Sequence, residues 1–134
     1  EKGFEVVARE DTNGTFDSAL EAAKKILNEQ PDITAIMCGN DQMAVAAKTA
    51  LNLAGNDQTV VYSIDGSPDI KKELKKADGQ IAGTVAQSPV NIGKKAVDIA
   101  LDILEGKDFE KETSVDVFMI NKENVEMYGA DGWQ

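Results

Sequence analysis

Short apolar runs alternate along this chain with longer segments of helical spacing. Between Phe16 and Leu27 the apolar residues recur every three or four positions, which is the pattern of one buried helix face. Short β-branched runs bounded by turn residues are instead typical of strands. The alternation predicts five strands, at residues 4–9, 33–38, 59–64, 80–86 and 114–120. It predicts four helices, at residues 16–29, 41–54, 68–77 and 89–105.

The order of the predicted elements, strand then helix throughout, indicates the α/β class. Parallel strands need long crossover connections, which the helices supply here. Such crossovers are right-handed and place helices on both faces of the sheet. We therefore predict a three-layer, doubly wound, mostly parallel sheet. With 134 residues, the chain has the length of one domain or of part of one.

Local signals mark the ends of several helices. Ser67-Pro68 combines an N-cap with a proline at the first helical position, and Gly55 is predicted to be a C-terminal cap. Glu1-Lys2-Gly3 is predicted to end a helix, and Asp78-Gly79 to turn into the fourth strand. The helix of residues 68–77 carries four lysines, which we expect to form a solvated face. These are Lys71, Lys72, Lys75 and Lys76.

Charge and composition narrow the function. The net charge of −10 argues against a nucleic-acid partner, whose phosphates require a basic face. The chain has no histidine, which excludes a Ser-His-Asp triad, and its acidic residues lack the spacing of metal loops. Glycine-rich nucleotide motifs are absent too. Cys38, the single cysteine, lies in an apolar strand and is expected to be buried. We therefore expect a binding protein with no catalytic residue, cofactor or metal.

Three polar side chains stand where predicted strands end: Asn40, Asp65 and Gln87. The carboxyl ends of parallel strands meet at one edge of a sheet, where α/β proteins bind ligands. A carboxylate accepts hydrogen bonds from adjacent hydroxyls, and an amide offers both donors and acceptors. The three residues therefore predict a pocket for a sugar or a related polyol.

Each of these residues also has a structural alternative. Asn40 can cap the helix that begins at Asp41, since Asn is favoured at that position. Asp65-Gly66 can form an ordinary turn, and Gln87 can satisfy a buried backbone group. The pattern of residues leaves these alternatives open.

Three motifs around these residues resemble the ribose-binding branch of the periplasmic sugar-binding proteins. They are Cys38-Gly39-Asn40-Asp41-Gln42-Met43-Ala44, Ile64-Asp65-Gly66-Ser67-Pro68-Asp69 and Thr84-Val85-Ala86-Gln87-Ser88-Pro89. The resemblance extends over nearly the whole chain in order and spacing. It implies a protein of two α/β lobes that are joined by three crossing segments and hold a sugar between them.

The resemblance also implies roles for individual residues. The three polar residues at the strand ends fall on positions that hydrogen-bond sugar hydroxyls in the family. An aromatic ring that stacks on the sugar is expected near the start of the first helix. Phe16 is the candidate, although the alignment favours Gly14, two residues earlier, for that position. Ile64 stands where the family often has an aromatic residue.

The same resemblance implies that residues 1–134 are most of a carboxyl-terminal lobe without its first strand and helix. In the strand order that the resemblance implies for this doubly wound sheet, the missing first strand is the central one. The strands at Phe4 and Ile33 would then face an empty lane of unpaired backbone groups, which is costly. We expect the rest of the same protein, or a swapped partner chain, to fill it. Residues 88–116, a crossing segment with its helix, are expected to pack on the absent amino-terminal lobe.

These expectations lead to competing hypotheses for the function. The first is the extracytoplasmic solute-binding component of an ABC-type sugar importer, which closes on a monosaccharide or related polyol and docks on a membrane permease. It would work in the periplasm, or lipid-anchored on the outer membrane face of a Gram-positive cell. The alternative is the effector-binding lobe of a sugar-responsive repressor of the LacI type. An enzyme is disfavoured, since only Asp65 among the acidic residues has a good site argument.

Overall fold

The computed structural model describes residues 3–77 and 79–133. The predicted helix end at Glu1-Lys2-Gly3 and the turn at Asp78-Gly79 therefore lie partly outside the described residues. The elements in chain order are α1 (Phe16–Glu29), β1 (Ala35–Met37), α2 (Asp41–Ala54), β2 (Val60–Asp65), α3 (Pro68–Leu74), β3 (Ile81–Ala86), α4 (Pro89–Leu104), β4 (Phe118–Asn121) and a short 3-10 helix (Val125–Tyr128).

The four strands form one sheet in the order β1-β2-β3-β4. β1, β2 and β3 are parallel, and β4 runs antiparallel to β3 at the sheet edge. Ser63 pairs with Thr84 and Asp65 with Ala86, so β2 and β3 end level with one another. The predicted α/β class and mostly parallel sheet are confirmed.

The predicted caps place the helices accurately. The Asn40 side chain accepts a hydrogen bond from the Met43 backbone N–H, so α2 begins where Asn-Asp follows β1. Gly55 ends α2 in the left-handed conformation with φ 66°. Ser67 caps α3 with Pro68 at its first position, as predicted. α2 has the bounds predicted from the sequence, because capping signals stand at both of its ends.

The core lies between the sheet and the helices α2 and α3, and α1 extends it by packing on α2. α2 contributes five small or aliphatic side chains, whose size lets it approach the sheet closely. These are Ala44, Ala46, Ala47, Ala50 and Leu51. Cys38 is buried as expected, and burial raises the pKa of its thiol to about 11. A thiol held neutral in this way behaves as a small apolar side chain.

Coverage of the sheet is unequal between its two faces. Val61 and Ser63 of β2 are buried beneath the helices, whereas Val60 and Ile64 on the other side of the strand are exposed. All 16 residues of α4 are at least partly exposed, so this helix does not cover that face. The second helical layer expected from the crossover rule is therefore not packed against the sheet within the described residues.

The predicted strand at residues 4–9 is wrong. No regular structure forms there, and Phe4 is 87% exposed. A strand requires a partner for its backbone hydrogen bonds, and β1 pairs only with β2 among the described residues. β1 is also shorter than predicted, and its edge residue Met37 is exposed. The apolar pattern of residues 4–9 is genuine, but the neighbour that the pattern requires is missing.

The predicted solvated face of the lysine-rich helix is wrong for one of its four lysines. Lys71 is 0% exposed, and its Nζ donates to the carbonyl oxygens of Tyr128 and Gly132 at 3.4 and 2.6 Å. Burial lowers the pKa of Lys71, while the charge of Asp131 opposes this change. Lys71 thus ties the end of the chain to α3. Lys72, Lys75 and Lys76 form surface ion pairs with acidic neighbours, as a solvated face would.

We expect Lys71→Met to lower the free energy of unfolding by about 1–3 kcal/mol, because two carbonyl groups near the chain end lose their buried donor. Methionine keeps the apolar stem, so the change isolates the ammonium group. Lys72→Met is the matched control and should stay within about 0.5 kcal/mol of wild type, because Lys72 is exposed. Urea unfolding measures both variants. Equal effects at the two positions would contradict the buried tether.

Candidate ligand-binding site

The carboxyl ends of β1, β2 and β3 lie along one edge of the sheet, because the three strands are parallel. Asp65 is the last residue of β2, and Gln87 follows β3 directly. The Gln87 Nε2 donates to Asp65 Oδ1 at 3.1 Å, and the Gln87 backbone N–H donates to the Asp65 carbonyl at 3.0 Å. The structure therefore brings together two of the predicted site residues.

The Asp65 carboxylate is half-buried and electrostatically perturbed. Burial raises the pKa of its carboxyl above the usual range, and the nearby negative charge of Asp41 adds to the rise. Hydrogen bonds from the Asp41 backbone and from Gln87 oppose it. The Asp65 backbone has φ 127°, a region that non-glycine residues rarely occupy. Such strain is often found where a side chain must be aimed at a ligand.

Asn40 serves as the helix cap that its structural alternative required. Its Oδ1 accepts from Met43 N at 2.8 Å, and its Nδ2 donates to the Gly14 carbonyl at 3.0 Å. A primary amide has two donors and two acceptor positions, so one of each remains. Capping and ligand binding are therefore compatible, and the ligand role of Asn40 stays a prediction.

Phe16 is the first residue of α1 and is half-buried. It lies two residues beyond Gly14, whose carbonyl contacts Asn40. Among residues 3–77 and 79–133, the ring of Phe16 stacks on no other aromatic ring. The stacking role of Phe16 also stays a prediction.

Asp41 is the residue of this site that sequence reasoning missed. It is 4% exposed, and its carboxylate accepts from Ser63 Oγ at 2.5 Å, from Thr84 Oγ1 at 2.8 Å and from Ser67 N at 2.6 Å. The sequence carried a signal: two hydroxyl residues interrupt otherwise apolar strands, and a carboxylate stands at the start of a helix beside them. Buried hydroxyls need partners, and Asp41 is the partner here.

Gly66 allows β2 and β3 to approach closely beside Asp65. It has φ +76°, and a Cβ at this position would lie 2.5 Å from the Ala86 Cβ. Its N–H donates to Thr84 Oγ1 at 3.2 Å. The turn that follows Asp65 is therefore specific to glycine on both conformational and steric grounds.

The assembled groups can donate hydrogen bonds to ligand hydroxyls and accept hydrogen bonds from them. The edge presents a carboxylate and two amides, which suit neutral, hydroxyl-rich ligands. Among the residues that the structure describes, no cluster of three or more His, Cys, Asp or Glu could hold a metal ion. Within the same residues, no helix has the length and apolar character needed to cross a membrane.

Comparison with known proteins agrees with this chemistry. Residues 1–108 match the model of the periplasmic binding protein domain. The chain is 34% identical over 120 residues to the ribose import binding protein of Salmonella typhimurium, which covers 90% of this chain and 40% of that protein. The chain therefore spans less than half the length of this curated relative.

Solved structures resemble the fold over nearly the whole chain. A periplasmic solute-binding protein of an ABC transporter from Actinobacillus succinogenes, with bound D-allose, superposes with a TM-score of 0.86 at 29% identity, covering 92% of this chain and 44% of that one. A solute-binding protein from Bacillus halodurans with bound myo-inositol gives the same TM-score and identity, covering 96% and 44%.

The α/β fold of this chain is thus similar to part of the fold of these solute-binding proteins. The chain belongs to the periplasmic binding protein domain family. The resemblance inferred from the three sequence motifs is confirmed.

We expect Gly66→Ala to destabilise the protein more than Gly106→Ala, by about 1–3 kcal/mol, because only the first adds a clash to the strain of positive φ. Gly106 has a similar φ of +69° but no atom within 4 Å of an added Cβ, so it isolates the conformational cost. Thermal or urea unfolding measures the difference. Equal losses would show that β2 and β3 adjust freely at this turn.

Proposed function

We propose that this chain forms one wall of the ligand site in the extracytoplasmic solute-binding component of an ABC-type sugar importer. The observation that carries the proposal is the hydrogen-bonded pair of Asp65 and Gln87, at adjacent strand ends of a domain in the periplasmic binding protein family. Its ligand is a monosaccharide or a related polyol.

The polar groups at the strand ends explain this ligand class. An ionised carboxylate has about four acceptor positions, and the hydrogen bond from Gln87 occupies only part of those on Asp65. Adjacent ligand hydroxyls can take the others, and the free donor and acceptor of Asn40 add a further contact. Ribose, allose and myo-inositol, which the relatives' names mention, share such adjacent hydroxyls although their rings differ. Phe16, beside this edge, is the proposed apolar contact.

A second wall completes the site. The chain corresponds to 40% of the length of its Salmonella relative, so we propose that a second lobe lies elsewhere in the full-length protein. Closure of the two lobes around the polyol would bury hydroxyls that a single open edge leaves in water. The closed protein would then dock on the membrane permease of the importer, outside the cytoplasm.

Transport is favoured over the other two hypotheses. The Salmonella relative is an import binding protein by name, and the two solved structures are solute-binding proteins of ABC transporters. A sugar-responsive repressor would share the fold but needs a DNA-binding region in addition. We propose a binding role without catalysis, because the carboxylate of Asp41, the acidic residue that affects the pKa of Asp65 within the described residues, is buried and already accepts three hydrogen bonds.

The remaining open surfaces of this chain fit the proposed second lobe. α4 exposes apolar side chains along its length, and no strand pairs with the outer side of β1 in the part of the chain that the structure describes. The exposed large apolar residues of α4 are Val90, Ile92, Val97, Leu101, Ile103 and Leu104. We propose that residues 88–116 pack on the amino-terminal lobe and that a strand from the rest of the protein pairs with β1. A second copy of the chain exchanging that strand is the alternative occupant.

We expect Asp65→Asn in the full-length protein to weaken polyol binding by about 10- to 100-fold, because hydrogen bonds lose their charged acceptor. Asparagine tolerates positive φ, so the backbone conformation is retained. Asp69→Asn is the matched control, since Asp69 is an exposed acid four residues away and should bind as wild type. Calorimetry against a panel of pentoses, hexoses and cyclitols gives the affinities. Unchanged affinity in Asp65→Asn would refute the site assignment.

We expect the backbone amides of α4 and β1 to exchange with solvent much more slowly in the full-length protein than in the isolated chain. Both elements have exposed faces here that the second lobe would cover. The amides of α2, which is buried in either case, serve as the internal control. Hydrogen exchange with mass spectrometry compares the two forms. Equal exchange in α4 would contradict the packing, and protection of β1 in a dimer of the isolated chain would indicate strand exchange.

A further inference from the structure

The buried carboxylate of Asp41 holds the segment that carries Asp65 from both sides. On β2, Ser63 donates to Asp41 Oδ1 two residues before Asp65. After the turn, the backbone N–H of Ser67 donates to Asp41 Oδ2 two residues beyond it. The two oxygens of one side chain thus fix the distance between positions 63 and 67. Asp65 lies between these anchors.

Thr84 connects the same carboxylate to the turn itself. Its Oγ1 donates to Asp41 Oδ1 at 2.8 Å and accepts from the Gly66 backbone N–H at 3.2 Å. A hydroxyl has one donor, so the bond to Asp41 directs its lone pairs towards Gly66. Thr84 therefore links the Asp41 carboxylate by two hydrogen bonds to Gly66, the residue that follows Asp65.

The backbone N–H of Asp41 also acts on Asp65, since it lowers the pKa of the Asp65 carboxyl. Because this N–H belongs to the first turn of α2, its direction is set by the helix that Asn40 caps. One residue therefore controls the Asp65 backbone through its side chain and the Asp65 carboxylate through its main chain. The unusual φ of 127° at Asp65 is held by these contacts together with the bond from Gln87 N to the Asp65 carbonyl.

We propose that Asp41 is a positioning residue of the polyol site: buried and out of reach of the ligand, it holds Asp65 in its strained conformation and aims its carboxylate at the open edge. The proposal rests on the proposed function, since it concerns the same site. It assigns to the Asn-Asp pair two separate tasks. Asn40 faces the edge, and Asp41 organises the strands behind it.

The first test is Asp41→Asn in the full-length protein. Asparagine has the same shape, but whichever way its amide turns, a donor replaces an acceptor that Ser63, Thr84 or Ser67 requires. We expect affinity for the bound polyol to fall about 10- to 100-fold, by analogy with the loss found when the hydrogen-bond partners that orient metal-binding side chains are replaced. Val61→Ala, a core truncation on the same strand outside this network, is the control for lost stability and should keep its affinity.

The pH dependence of binding separates positioning from general loosening of the fold. Affinity should fall as the pH falls through the pKa of Asp65, because the protonated carboxyl accepts fewer hydrogen bonds. Burial and the charge of Asp41 raise that pKa, while the Asp41 N–H and Gln87 lower it. Asp41→Asn removes the charge but keeps the N–H, so the pKa of Asp65 should fall. The acid limb of binding, which is the pH range in which affinity drops as Asp65 is protonated, should therefore move to lower pH. Val61→Ala should leave the limb unmoved.

A second pair of variants covers the case in which Asp41→Asn does not fold. Thr84→Val removes the linking hydroxyl and should weaken binding, whereas Thr84→Ser keeps the hydroxyl and should restore most of the affinity. Wild-type affinity in Thr84→Val, or an unmoved acid limb in a folded Asp41→Asn protein, would overturn the positioning role and leave the proposed function intact. A wild-type protein that binds none of the polyols would overturn both.

Discussion

Burying the carboxylate of Asp41 is the constraint on which the arrangement of the strand ends depends. A charged group taken out of water is costly unless donors replace its hydration. Here two strand hydroxyls and one backbone N–H do so, and they come from β2, β3 and the turn before α3. The requirement to satisfy this one group therefore sets where two strands end relative to α2. The hydrogen bonds to the buried Asp41 carboxylate therefore also determine the geometry of the open edge of the sheet.

The backbone is strained at the end of β2, where Asp65 has a positive φ, and the surrounding contacts hold it in that conformation. Asp65 occupies a conformation that glycine would adopt more easily, and Gly66 sits against Ala86 too closely for any side chain. An ordinary turn would need neither feature. Both are understandable if the carboxylate of Asp65 must point away from the sheet, beside Gln87, towards a ligand. Strain, close packing and charge thus converge on one short segment between β2 and α3.

Other surfaces of the molecule have the properties of an interface that another part of the protein would cover. Its hydrogen-bonded interior lies on the side of α2 and α3, while α4 and the edge of β1 present apolar surface and unpaired backbone. Exposed apolar helices and free edges are unfavourable in isolation. In a family whose relatives are more than twice as long as this chain, they are natural places for the remaining protein to attach.

Local information determined much of this protein. Caps and proline placed the helices, and alternating strands and helices predicted the α/β class and the edge where Asp65 and Gln87 meet. Whatever depends on a distant neighbour was decided by the tertiary structure alone. The apolar residues 4–9 form no strand because no described segment pairs with them. Lys71 is buried because residues 128–132 provide carbonyl acceptors for it, and Asp41 is central because two distant hydroxyls converge on it. A pattern along the chain records what a residue prefers, whereas contacts between residues far apart in sequence decide whether that preference is met.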